Sequence, residues 1–294
     1  MKSYYDITGD GGSNILEQVG AIQAAIAEKL AGVKYRIAIG SGKGGVGKST
    51  LTRQLATALR QRGNACAILD ADLNGPSQAR LSGLQDVPLL PGAEGVALPK
   101  DANGVGVVSL GSLIPETEAV SFDTVAQGDS YTWRATREFA AVGELLASID
   151  WGQLDYLLID LPPGVERTLQ FAEFLGSQTS FILVTVPSDL ARGVVARSVV
   201  ALRGAPNRIL GYVENMKGYW CDACNNVRPL FPESNRIDLG IPKLGSVPFD
   251  PELAAACDRG ELAVGNDRPW WVAVKKLAET VEEIIESKPV DVAE

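Results

Sequence analysis

Gly40-Ser41-Gly42-Lys43-Gly44-Gly45-Val46-Gly47-Lys48-Ser49-Thr50 follows a short apolar run, Tyr35-Arg36-Ile37-Ala38-Ile39, and precedes Leu51, Leu55 and Leu59. The apolar run reads as a strand. The leucines recur every four residues, as on a helix that packs on a sheet. Gly42, four residues, then Gly47, Lys48 and Ser49 give the spacing G-x-x-x-x-G-K-[ST], placed between strand and helix as a phosphate-binding loop requires. Glycines let the backbone take positive φ and approach a ligand without a Cβ in the way. The bared N–H groups, with those at the helix N-terminus, form a cradle for phosphate oxygens. Lys48 adds a point charge for the β/γ-phosphates, and the Ser49 hydroxyl suits Mg²⁺.

Composition narrows the rest. The chain of 294 residues is 46% hydrophobic, enough for a sizeable core, and its net charge of −9 disfavours attraction to nucleic acid or an anionic membrane surface. Histidine is absent, which removes Ser-His-Asp and Cys-His catalysis and every His-ligated metal site. No apolar run reaches the ~20 residues of a membrane span. Met1–Asp10 lacks the pattern of a secretory signal, and four cysteines are too few for a disulfide scaffold, so a cytoplasmic protein is expected.

Further strands follow as continuous apolar runs with helical segments between them: 65–69, 104–110, 154–160, 180–186, 209–213 and 244–249. That pattern predicts an α/β fold, a doubly wound and mostly parallel sheet with helices on both faces. Without repeats or a low-complexity linker, one domain is expected over residues 34–287. Residues 1–33 would add a tail and a helix packed on it, and residues 288–294 a flexible end. The C-terminal helix, with Trp270, Trp271, Val274, Leu277, Val281 and Ile285 on one face and Glu279, Glu282, Glu283 and Glu286 elsewhere, is too acidic for a membrane anchor and is expected to dock on the domain.

Carboxylates stand at two strand ends, where open α/β sheets bind ligands. Leu154-Asp155-Tyr156-Leu157-Leu158-Ile159-Asp160 ends in Asp160, placed to hold the metal of a bound nucleotide. The run 65–69 leads into Asp70-Ala71-Asp72-Leu73-Asn74-Gly75-Pro76-Ser77, whose two carboxylates either face the nucleotide or belong to a solvated loop. Cys221-Asp222-Ala223-Cys224, in an aromatic loop after the run 209–213, has metal-ligand or redox spacing. Two thiolates are half of a four-ligand site, so a metal held there would be shared with a second chain.

Lys43, a second lysine early in the glycine loop, resembles the deviant loop G-K-G-G-V-G-K-[ST] of the MinD, ParA, Mrp and nitrogenase-iron-protein class of SIMIBI-type P-loop NTPases. D-A-D-x-x-G-P-S at 70–77, Asp160-Leu161-Pro162-Pro163-Gly164, and Glu214-Asn215-Met216 leading to Cys221 and Cys224 together resemble the Mrp/ApbC iron–sulfur carrier ATPases from about Lys34 to Ile285. The resemblance implies an ATP-hydrolysing homodimer that holds a [4Fe–4S] cluster between its subunits on Cys221 and Cys224 and delivers it to apo iron–sulfur proteins. It further implies that Lys43 reaches the partner's nucleotide, Lys48 acts on the phosphates, and Asp72 orients or deprotonates the attacking water. Asp70 would lie near the Mg²⁺ shell of Ser49 and Asp160. Asn215 would read adenine beside the loop 244–250, completing a binding set of Gly42, Lys43, Gly44, Gly45, Val46, Gly47, Lys48, Ser49 and Thr50.

The chain departs from that pattern at Val165-Glu166-Arg167, where the family has T-G-D, at Trp133-Arg134-Ala135-Thr136, and at Asp222 and Asn225 in the cysteine segment. A MinD/ParA-type positioning switch and a Cys₄ zinc-bridged dimer stay open as alternatives at this point.

Overall fold

A computed structural model describes residues 15–85, 87–92, 94–109, 131–232, 237–261 and 267–287. Expectations about the N-terminal tail and the flexible C-terminal end fall outside these residues.

The central strand β1 (Val33–Ser41) is flanked on both sides, by β6 (Leu154–Asp160) and β7 (Thr179–Thr185). Beyond β6 lie β2 (Cys66–Asp70) and β4 (Gly106–Val108); beyond β7 lie β8 (Ile209–Cys221) and β10 (Lys243–Phe249). The order is β10-β8-β7-β1-β6-β2-β4, all parallel, with the short strand β9 (Asn226–Arg228) antiparallel on β8. A separate two-strand pairing joins β3 (Val96–Ala97) to β5 (Ile149–Asp150).

Because β1 has partners on both edges and helices on both faces, it is fully buried from Ile37 to Ser41. Alternate residues serve two cores: Ile37 and Ile39 enter one, and Ala38 the other. The first core is closed by α2 (Lys48–Gln61) and α8 (Pro269–Glu286), through Leu51, Leu55, Leu59, Trp270, Trp271 and Val274. The second is closed by α4 (Tyr131–Ser148), α5 (Val165–Leu175) and α6 (Asp189–Leu202), through Val142, Leu146, Phe171, Val195 and Val199. The helix α1 (Ile15–Lys29) lies against α4. Two short helices, α3 (Gln78–Leu81) and α7 (Pro251–Asp258), follow β2 and β10.

The doubly wound sheet expected from the apolar runs is therefore the observed one, with two differences. The fourth strand is confined to Gly106–Val108. Strand β8 does not end near Val213 but runs on to Cys221. Glu214, Asn215 and Lys217 interrupt the apolar run, and the positive φ of Met216 (56°) and Gly218 (118°) is absorbed as local distortion of one long strand.

The C-terminal helix docks as its stripe predicts. Trp270, Trp271, Val274, Leu277, Val281 and Ile285 are buried, each large side chain contributing about 1.5–3 kcal/mol. Its acidic face turns to Arg62, which bonds Glu282 at 2.5 Å and Glu279 at 3.0 Å. Among the described residues no helix is long and apolar enough to cross a membrane. One buried ion pair was not legible beforehand: Arg53 on α2 pairs with Asp101, whose other oxygen accepts from the Asn103 and Val105 N–H groups. It fixes the helix behind the glycine loop to the turn before β4.

Candidate functional site

The glycine loop leaves the carboxyl end of β1, at the middle of the sheet where the chain's path divides to either side. Gly45 (φ 76°) and Gly47 (φ 77°) take the left-handed conformation that other residues resist. Closeness matters as well: a Cβ on Gly47 would sit 2.4 Å from Asn215 Nδ2, and one on Gly42 2.5 Å from Val194 Cγ1. Helix α2 starts at Lys48 with no side chain capping it, so its first N–H groups face the loop's concavity.

Lys48 forms a buried ion pair with Asp160, and its ammonium also lies 3.3 Å from Ser49 Oγ. Gln78, at the start of α3, donates to Asp160 Oδ2 (2.8 Å) and to the Ser49 carbonyl (3.0 Å), so strand end, helix start and the loop after β2 meet in one cluster. Nothing in its spacing marked Gln78 beforehand. Lys43 is solvent-exposed.

The two carboxylates after β2 differ. Asp70, paired in register with Asp160, is fully buried and accepts hydrogen bonds from the backbone of Asp72, Ser77 and Gln78 and from Ser109 Oγ. Burial, and then the charge of Asp160, push its carboxyl up to about 7. Both of its oxygens accept bonds that shape the loop, and it lies beside Asp160. Asp72 is half-buried; burial raises it and the charge of Lys48 opposes the rise. Two residues on, Asn74 donates to Glu138 on α4 (2.8 Å), and the same carboxylate pairs with Arg167. Arg167, the last of the three residues that depart from the T-G-D pattern, is therefore tied, through Glu138, to the loop carrying Asp72.

On the other side of the glycine loop, Asn215 on β8 donates to the Val46 carbonyl at 2.8 Å. Beside it opens a pocket of some 500 Å³, counting space open to solvent, walled by Met216, Pro248, Phe249, Leu253 and Trp270. Residues 247–250 of the loop at 244–250 thus line the pocket next to Asn215. Next to Asn215, Glu214 is completely buried and binds Arg192 and Lys243. Burial pushes its carboxyl up, but the hydrogen bonds from Lys243 and Arg192 outweigh that and hold it at about 2, against an ordinary 4.5.

Since the fold favours the ionised form, Glu214 contributes stability above about pH 4.5 that is lost as pH falls toward 2. Glu214→Gln is expected to flatten that acid limb of the unfolding free energy, by about 1–2 kcal/mol after screening. Denaturant melts from pH 5 downward check this; an unchanged slope would contradict it.

The cysteine pair sits on a hairpin. Cys221 ends β8 and pairs with Asn226, Cys224 lies in the turn, and Asn225 (φ 48°) takes the left-handed turn position. Cys221 is half-buried and Cys224 exposed, and both are free thiols. Arg228 donates to Cys224 Sγ at 3.3 Å, which holds this thiol below its usual range. By contrast, burial pushes the Cys66 thiol up to about 12 and raises Cys257, so both read as packing residues. Among the described residues no three His, Cys, Asp or Glu side chains converge on a metal position.

A parallel sheet with a glycine loop on its middle strand, a lysine–aspartate pair beneath that loop and a second lysine on its rim defines a P-loop nucleotide-binding protein of the MinD/ParA type. Solved relatives agree. A nucleotide-binding protein from Archaeoglobus fulgidus in complex with ADP is 30% identical over 85% of this chain and 95% of its own, with a TM-score of 0.69. The septum site-determining protein MinD of Pyrococcus horikoshii, complexed with Mg-ADP, is 25% identical over 86% and 98%, with a TM-score of 0.61. The chain belongs to the ParA-type NUBPL iron-transfer P-loop NTPase family, whose model matches residues 32–285. An iron-sulfur cluster carrier protein from Saccharolobus solfataricus is 33% identical over 92% of this chain and 90% of its own length. The cytosolic Fe-S cluster assembly factor NUBP2 of Bos taurus is 33% identical over 88% and 96%. The Mrp/ApbC resemblance thus holds at the level of the family.

Proposed function

We propose that this chain is a cytoplasmic, ATP-hydrolysing homodimer that carries a [4Fe–4S] cluster as cargo between its subunits and hands it to apo-proteins. One observation carries the reading. A single strand, β8, touches the glycine loop through Asn215 and ends six residues later in a surface hairpin with two accessible thiols, half of a four-cysteine cage. A cage completed by a second chain explains both the incomplete donor set and the exposed Lys43 on the loop's rim. Residues 34–287 act as one nucleotide-binding unit.

In this reading the loop amides from Gly42 to Thr50, with Lys48, hold the phosphates, and Lys43 reaches the partner's nucleotide. Ser49 and Asp160 are the donors that would hold Mg²⁺, which neutralises charge on the β- and γ-phosphates when bound. Asp72 orients the water that attacks the γ-phosphorus. The bond to the bridging oxygen breaks, ADP leaves, and the water's proton passes to the Asp72 carboxylate, which burial makes more basic than usual. Asp70 and Gln78 position these groups through the bonds described above. Asn215 and the pocket beside it receive the base. Iron and acid-labile sulfide, measured on protein purified without oxygen and with and without ATP, test the proposal. Zinc in place of iron and sulfide would leave a structural bridge instead.

A further inference from the structure

Arg268, the residue just before α8, is used by neither the phosphate site nor the thiol pair, yet it touches the surroundings of both. Its Nε and Nη2 each lie 2.8 Å from an oxygen of Asp250. Asp250 is buried in the pocket wall beside Phe249 and caps α7 by accepting from the Glu252 N–H at 2.9 Å. The guanidinium's remaining arm, Nη1, donates to Asp222 Oδ1 at 2.8 Å, and Trp220 Nε1 donates to the same oxygen at 2.7 Å. The guanidinium carbon also stands 5.7 Å from the centre of the Trp220 ring. One rigid, planar cation therefore grips the residues on either side of Cys221 while it is bolted to the base pocket.

We propose that Arg268 is the positioning residue that couples the nucleotide pocket to the cysteine hairpin. The inference rests on the nucleotide and thiolate reading above and adds the route between the two sites. A base entering the pocket meets Phe249 and the backbone leading to Asp250. Any shift of Asp250 is passed through the bidentate pair to Asp222 and Trp220, and so to the direction of Cys221 Sγ. Asp222 is the connecting link on the hairpin side. Its side chain is 60% exposed, so its substitution leaves the core intact.

The test is the rate at which iodoacetamide alkylates Cys221 and Cys224 in the metal-free full chain, with and without ADP. It is run at a concentration where the chain has a monomer's mass, so that burial by a second copy does not enter. Coupling between sites of this kind shifts such a rate about fivefold, and Asp222→Ala is expected to bring the ratio to near one while ADP affinity and Tm stay at the wild-type values. Asp222→Asn keeps an acceptor oxygen for Arg268 and Trp220 and is expected to restore the ratio. The same ADP-dependent ratio in Asp222→Ala, or no ratio in wild type with ADP bound, would overturn the coupling. Failure of the wild type to bind ADP would instead remove the nucleotide reading, and the coupling with it.

Discussion

Lys48→Ala is expected to lower ATP turnover by about 10²–10³-fold, the range seen when one preorganised donor to a developing oxyanion is removed. The structure adds a second expectation. Lys48 is held by Asp160 in a cluster with almost no exposure to water. Alanine leaves that buried carboxylate without its cation, and breaking a buried pair in this way costs about 3–5 kcal/mol. The nucleotide-free variant should therefore melt lower, by on the order of 10 °C for a chain of this size. Adding Asp160→Asn removes the orphaned charge, and Gln78 can still bond the amide oxygen. The double variant should regain most of the lost stability and none of the turnover. Calorimetry of the wild type and the variants, beside a phosphate-release assay, separates the two effects. If Lys48→Ala alone melts like the wild type, the buried ion pair does not stabilise the fold.

That pair also shows why part of the site was legible in the sequence and part was not. The glycine loop and Asp160 could be located because their chemistry is local: a turn needing positive φ, a helix start, and a carboxylate at the end of an apolar strand. The sheet was legible for the same reason, since buried parallel strands leave unbroken apolar runs. The groups that sequence missed meet through the fold. Gln78 reaches Asp160 across 82 positions, Arg268 reaches Asp222 across 46, and Arg167 finds Glu138 across 29. No spacing rule encodes those meetings. The hairpin was misread as a loop after Val213 because Glu214, Asn215 and Lys217 end the apolar run, although backbone pairing to β10 and then β9 carries the strand on to Cys221.

Removing the thiols should have the largest effect on the metal. If each subunit supplies half of a four-cysteine cage, anaerobic reconstitution of the wild type will give about two irons and two sulfides per chain, in a particle of two chains. Cys224→Ala alone should then lose nearly as much cluster as Cys221→Ala/Cys224→Ala, because one substitution deletes two of the cage's four ligands. Neither change should disturb the fold. Cys224 is exposed at a turn and Cys221 ends the strand, so the expected stability change is within about 0.5 kcal/mol for the exposed position. ADP affinity should also persist, because Asn215 and the glycine loop are untouched. The visible absorption of the cluster, iron and sulfide content, and mass by light scattering together decide the matter. Four irons on a single chain, or a full chromophore surviving in the double variant, would place the cluster on other residues and leave the shared cage without support.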